Sequence, residues 1–501
     1  MSDPNLKNRV AVGIAWMTAA RAAVRVLGMV STLVLARLLT PVDFGLVAIA
    51  TAVAAGLELL TLFSFDVALV QRQHLTREHY DSAWTMNVLL GLALGGAVMA
   101  VAGVAADYYR EPRLEAVMLI IGAKYILLGL ANTGVVDFRR NLQFDKEFIL
   151  QIVPKLAGIA VTIPLAVSLR DYRALIAGMV LTAAMTCLLS FTMHPHRPQL
   201  CFTKSKELFR FSRWLLISNV MAFLRTRAGD LIISRVLGSA ALGTYSLAYE
   251  ISNLPTTEMV APINRVLLPG YVKVAEHPER LRDAFQATLG LIAIAILPVS
   301  VGIAAVSDPL VRVALGGQWL DAIPLITLLA VAGSGTILLT NTGAVFHALG
   351  KPHVITYTGA VYAITLLPML LFGTYWYGLE GAAWAYVIHT FGPGVVLSYW
   401  VFLRTTPMKL VDIVRPCWRP VIAAPIMFIA VRRFLELWDD RESFFGALTS
   451  LFGGAAFGAV VYVSLVGALW FAVGRPEATE TAILRRVGPL WHRLAGSFAR
   501  A

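Results

Sequence analysis

The residues of this chain that could do chemistry are charged side chains set inside apolar runs. Arg21 and Arg25 interrupt the run 11–36, Lys124 the run 114–136, Lys155 the run 148–168, Arg225 and Arg227 the run 212–236, and Arg265 the run 242–268. Glu58, Asp66, Asp230, Glu250 and Glu258 supply acids within such runs. An arginine at the centre of a membrane helix costs about 2.5–3.5 kcal/mol on insertion scales, so two in one span cost roughly 5–7 kcal/mol before any partner is found. A helix that carries two should face a wet or protein-lined interior. Four-residue spacing stacks Arg21 and Arg25 on one helical face. A guanidinium keeps its charge and grips phosphate oxygens in a fork. The chemistry that fits is binding of an anionic group such as a diphosphate, with Arg21, Arg25, Arg225 and Lys124 as the cations of a central cavity. The alternative is structural: the same side chains pair with buried acids or reach the headgroups.

Other positions suit gating or coupling. Asp66 and Asn264 align in an internal repeat and either close a gate or cap their helices. Glu250 is placed to titrate or to bind a cation, and Arg227 can pair with Asp230 one turn on. No catalytic site is expected: the chain has no phosphate-binding loop, no GxGxxG after a strand, no HExxH and no convincing GxSxG. His194 and His196 flank Pro195 in a loop, and His347 and His389 are lone histidines read as packing residues. The three cysteines, Cys187, Cys201 and Cys417, are scattered without metal-ligand spacing. No metal and no cofactor is expected.

The elements that must position these groups are membrane helices. Of 501 residues 58% are hydrophobic and 14% charged, and the mean hydropathy is +0.71. Apolar runs of about 18–25 residues are long enough to cross a bilayer as helices. Fourteen spans are predicted, at 11–36, 44–69, 84–106, 114–136, 148–168, 172–193, 212–236, 242–268, 285–306, 322–346, 355–375, 380–402, 417–436 and 446–473. The net charge of +12 is not read as a nucleic-acid patch, because most of the 42 Lys and Arg fall in segments on the side of the N-terminus. That is the positive-inside pattern, with both termini cytoplasmic. The first helix is expected to be retained rather than cleaved.

A repeat organises the chain. ARLLTPVDFGLVAIA (Ala36–Ala50) aligns without a gap on SRVLGSAALGTYSLA (Ser234–Ala248), laying Arg37 on Arg235 and Gly45 on Gly243, and Asn132-Thr133-Gly134 aligns further on with Asn341-Thr342-Gly343. Internal symmetry of this kind marks transporter folds. The expected architecture is all-α and integral to the membrane: an N-terminal lobe at 1–200, a C-terminal lobe at 201–405, two further helices at 406–474 and a cytoplasmic amphipathic tail at 475–501. The connector 194–213 separates the lobes, and Leu208, Phe209 and Phe211 within it suggest an interfacial helix. All external loops are short, which argues against a membrane polymerase or ligase.

Three segments resemble a known family: LARLLTPVDFGLVAIA after an arginine-bearing first helix, DFRRNLQFDKEF (Asp137–Phe148) and NTGAVFHALGKPHV (Asn341–Val354). Their order and spacing resemble those of the Wzx-type oligosaccharide flippases, polysaccharide exporters of the multidrug/oligosaccharidyl-lipid/polysaccharide superfamily, with a lean towards the colanic-acid exporter branch. The resemblance implies two six-helix lobes, a cationic cavity and alternating access in the bacterial inner membrane. It also implies the substrate, an undecaprenyl-diphosphate-linked oligosaccharide carried to the periplasmic leaflet for exopolysaccharide or lipopolysaccharide synthesis. The partners implied are membrane lipid and the polysaccharide polymerase and export machinery. By similarity to the related lipid II flippase, the last two helices would take the lipid tail. A drug or metabolite antiporter of the same superfamily is the alternative.

Overall fold

The computed structural model describes residues 4–59, 65, 69–70, 75–204, 223, 227–438 and 443–474, and among these the regular structure is helical, with no strand. Ten of the helices are long and apolar enough to cross a membrane, or eleven if one bent pair is counted as a single span. The contacts divide the chain into two compact units, Met1–Ser246 and Leu247–Ala501.

In the first unit, α1 (Pro4–Leu38), α2 (Pro41–Glu58), α3 (Arg77–Tyr109), α4 (Arg113–Gly129), the short α5 (Val136–Arg140), α6 (Phe144–Leu169), α7 (Arg173–Met193) and α8 (Ala228–Leu237) follow in order, and α9 (Ser239–Ser252) runs across the unit boundary. Lipid offers no hydrophobic drive for helix pairing, so small residues that admit close backbone approach decide which helices meet. Gly91 and Gly95 of α3 lie against Gly129 and Gly122 of α4, where an added Cβ on Gly91 would stand 2.8 Å from the Gly129 Cα. Gly158 of α6 and Gly178 of α7 pack on one another in the same way, with Thr162 and Thr182 hydroxyls filling the seam. Trp16 of α1 meets Phe148 of α6 edge-on, ring centroids 5.1 Å apart.

The TPVDFG segment is a helix start built around one carboxylate. Asp43 accepts from the Thr40 backbone N–H (3.0 Å) and hydroxyl (2.6 Å), closing a capping box at the head of α2. Its other oxygen accepts from the Tyr172 N–H at 3.2 Å, tying α2 to the turn between α6 and α7. Span four ends sooner than the run 114–136 suggests. α4 stops at Gly129, Asn132 caps a 3-10 turn through Gly134 N–H (2.9 Å), and the chain bends by 62° into α5.

In the second unit, a π turn (Pro255–Val260) leads into α10 (Ala261–Val274), then α11 (Pro278–Ala305), the short α12 (Ser307–Ala314), α13 (Ala322–Ala348), α14 (Pro352–His389), a second π turn (Thr390–Gly394), α15 (Val395–Thr405), α16 (Leu410–Glu436) and α17 (Phe444–Ala472). α14 doubles back at Gly378 (φ 64°), and Gly373 and Gly381 pack backbone to backbone beside the turn. That φ favours glycine, which has no Cβ to clash. Asn341 does not cap a break as its repeat partner Asn132 does; it lies inside α13 and accepts from the Tyr271 hydroxyl at 2.7 Å. The last two helices join this unit through a core of Leu297 and Val301 of α11 with Met427, Val431 and Tyr462.

Candidate functional site

The first unit presents two groups of intramembrane charge. On α1, Arg21 is exposed and Arg25 half-buried, one turn apart. One turn further on is Gly28, and Lys155 of α6 reaches this position, its Nζ 4.0 Å from where a Cβ on Gly28 would sit. Residues three and four apart share a helical face, so Arg25 and Lys155 border the same stretch of α1. Lys155, a charge the sequence places in the run 148–168, is thus set beside the α1 turn that follows Arg25.

The second group joins α2, α4 and α8. The Tyr125 hydroxyl donates to Glu58 Oε2 at 3.2 Å. Lys124 Nζ lies 5.1 Å from the Tyr125 ring centroid, and Glu58 acts on it electrostatically. Arg227, at the head of α8, pairs with Asp230 Oδ2 at 3.3 Å, and its charge also reaches Tyr125. The structure therefore sets Lys124 beside Tyr125 and Glu58, and pairs Arg227 with Asp230. Two cations and two carboxylates balance there.

The remaining expected site residues are placed as follows. Glu250 is exposed on α9, and Asn264 lies in α10. Arg225 and Asp66 lie outside the described residues, as do Leu208, Phe209, Phe211 and the tail 475–501.

A third cluster was missed by sequence reasoning. The connector after α7 is strapped over the head of α3: Gln199 N–H donates to Asp81 Oδ1 (3.1 Å), Cys201 N–H to Thr85 Oγ1 (2.9 Å) and Lys204 N–H to Ser82 Oγ (3.2 Å). His196 stands 3.2 Å from Asp81, and His194 3.5 Å from Asp137 of the DFRR segment. Tyr80 donates its hydroxyl to Asp137, and Arg140 donates to Tyr80 (3.1 Å). Asn132 Nδ2 donates to the His196 carbonyl at 2.8 Å. Burial outweighs the Asp137 charge and holds the His194 imidazole below its ordinary pKa. These partners lie scores of residues apart in sequence, so no spacing rule marks them. Among the described residues no group of three or more His, Cys, Asp or Glu could hold a metal ion.

Comparison with known proteins fits this architecture. A family profile described as "Polysaccharide biosynthesis protein" matches residues 34–324, more than half of the chain. The lipopolysaccharide biosynthesis protein WzxC of Escherichia coli K12 is 24% identical over 80% of this chain and 82% of its own length. The succinoglycan biosynthesis transport protein ExoT of Rhizobium meliloti is 24% identical over 95% of this chain and 94% of its own. Among solved structures, the lipid II flippase MurJ in an inward closed conformation superposes with a TM-score of 0.71 at 15% identity, covering 92% of this chain and 99% of that one. That likeness establishes the fold, a multi-pass helical membrane protein. The chain belongs to the polysaccharide biosynthesis protein family.

Proposed function

We propose that this protein is a flippase that moves an undecaprenyl-diphosphate-linked oligosaccharide from the cytoplasmic to the periplasmic leaflet of the bacterial inner membrane, for exopolysaccharide or lipopolysaccharide assembly. The observation that carries this reading is membership of the polysaccharide biosynthesis family combined with a MurJ-like fold over nearly the whole chain. A diphosphate and a sugar chain do not cross hydrocarbon unaided, because burying charges and hydroxyls without partners costs many kcal/mol. The reading assigns Arg21, Arg25, Lys124 and Arg225 to the phosphates, in two six-helix lobes of a fourteen-span protein with both termini cytoplasmic. The lipid tail stays in the bilayer while the head group rides the cations, and the lobes alternate in opening to either face.

The Glu58–Tyr125–Lys124 and Arg227–Asp230 contacts support a specific version of this cycle. In the empty state the acids hold the cations in place and offset their insertion cost. Bound phosphate takes over as their partner, and the carboxylates displace it again on the far side. Asp66, Asn264 and Glu250 are assigned to gating or coupling.

The test is complementation of a strain that lacks the protein with Arg21→Ala, Arg25→Ala and Arg225→Ala variants at matched protein levels. The expected result is loss of surface polysaccharide, with lipid-linked repeat units accumulating in the cytoplasmic leaflet. Normal polysaccharide from all three variants would end the phosphate assignment. Single repeat units displayed outside the cell would point to a polymerase instead.

A further inference from the structure

His389 closes α14 immediately before the second π turn, and its side chain is fully buried. Its Nε2 lies 2.8 Å from Thr365 Oγ1, on the other arm of the α14 hairpin. The Thr365 hydroxyl has one hydrogen, and carbonyls take it: Val361 at 2.8 Å, with Tyr362 at 3.2 Å. Donation to either carbonyl leaves Thr365 as the acceptor towards the ring, and on that basis the proton of the neutral imidazole is assigned to Nε2 and the lone pair to Nδ1. That Nδ1 is buried and has no hydrogen-bond partner among the described residues. Buried polar atoms are nearly always paired, and an unpaired one calls for an explanation.

The surroundings supply one. Nδ1 faces the π turn at Gly394, where a Cβ would sit 3.6 Å from it and 2.9 Å from the His389 carbonyl. The turn contains Gly392 outside helical geometry and Pro393, which has no N–H to give the carbonyl four residues back. Gly335 of α13 packs on Thr390 and Phe391 at the same break. The titratable group facing the ring is Tyr362, edge-on at 4.3 Å, and Tyr386 lies one turn back on the same helix, paired with Tyr249 of α9. No charged side chain among the described residues acts on the ring.

We propose that His389 is a proton-binding site at the hinge between α14 and α15, whose Nδ1 lone pair takes a proton when the π turn opens to water. The ring is fully buried in the present conformation, and an imidazolium needs solvation or an acceptor. Protonation therefore favours a conformer in which the turn has rearranged, and through it the state of one histidine biases the bend of the helix. The inference does not depend on the substrate assigned above.

The test is nitrogen NMR of the full chain, labelled at its nine histidines and held in lipid nanodiscs. The H389Q variant assigns the His389 resonances. The expected result is an Nε2–H tautomer with bare Nδ1 in mild alkali, and protonation of Nδ1 as the sample is acidified. A second readout is the distance between spin labels at the exposed positions Tyr357 and Val396, on either side of the hinge. It should shift with pH in the background protein and stay constant in H389Q. An Nδ1–H tautomer, an unchanging Nδ1 in acid, or a label distance indifferent to pH would overturn the proposal. Should H389Q fail to fold, H389N serves for the assignment and the label comparison instead.

Discussion

Gly45 of α2 and Gly243 of α9, repeat-equivalent in sequence, pack against one another backbone to backbone. A Cβ built on Gly45 would stand 3.0 Å from the Gly243 N and would overlap the Ser239 carbonyl; one on Gly243 would stand 2.8 Å from the Gly45 N and overlap the Pro41 carbonyl. The two copies of the motif thus meet at the position that both keep free of a side chain. Gly45→Ala and Gly243→Ala should each destabilise by about 1–3 kcal/mol, the usual cost of overpacking, and more if the backbone cannot shift. Gly96→Ala, where a Cβ meets nothing within 4 Å, should be neutral or slightly stabilising. Thermal midpoints of the detergent-purified variants measure the contrast, and equal midpoints for Gly45→Ala and Gly96→Ala would contradict it.

Asp43 is the polar centre of the same segment. Removing its carboxylate strands the N–H of Thr40 and the buried N–H of Tyr172, and a buried donor left unmade costs about 1–3 kcal/mol. Asp43→Ala should therefore lose stability on that scale and Asp43→Asn should recover part of it, since the amide oxygen still accepts. The readout is folded yield and thermal midpoint of the purified protein. Equal losses in the two variants would mean that the hydrogen bonds are not what matters.

These two residues show why part of the architecture was legible. Apolar runs long enough to span a bilayer are obligatory, because backbone groups must be paired internally in hydrocarbon, and the repeat pointed to Gly45 and Gly243 before any contact was known. The end of α4 was not legible: residues 130–136 continue the apolar pattern, and the break depends on Asn132 turning its side chain to Gly134 N–H. The same three-residue motif around Asn341 leaves α13 unbroken. The site was legible by residue type and not by partner. Arg21, Arg25, Lys124 and Lys155 stood out as charges in apolar runs, whereas Tyr125, and the approach of Lys155 to α1, became visible only through contacts between helices distant in sequence.

The strap over α3 should make stability depend on pH. His194 is held below the ordinary histidine pKa, first by burial, so the unfolded chain binds a proton there at a pH where the folded chain does not. The contribution is fully present above about pH 6.5. It falls as pH drops from there towards the folded-state value, and levels off once both states are protonated. Thermal midpoints taken through that interval should decline, and His194→Asn should flatten the decline. A slope unchanged by the substitution would place the proton uptake elsewhere.

The pairing of Glu58 with Tyr125 and Lys124 separates two readings of the intramembrane charges. If Lys124 serves only to neutralise Glu58, then Glu58→Gln and Lys124→Met are each harmful because each strands a charge. The double variant would then restore both folding and transport. If Lys124 binds phosphate and Glu58 competes for it, the double variant should fold well and still fail to carry substrate. Glu58→Gln alone should bind the lipid-linked substrate more tightly and release it more slowly. Surface polysaccharide in complemented cells reports transport, and the thermal midpoint reports folding. With substrate binding by purified protein, these three measurements form a double-mutant cycle for each property. A double variant that regains transport would remove Lys124 from the phosphate site, and one that regains stability alone would keep it there.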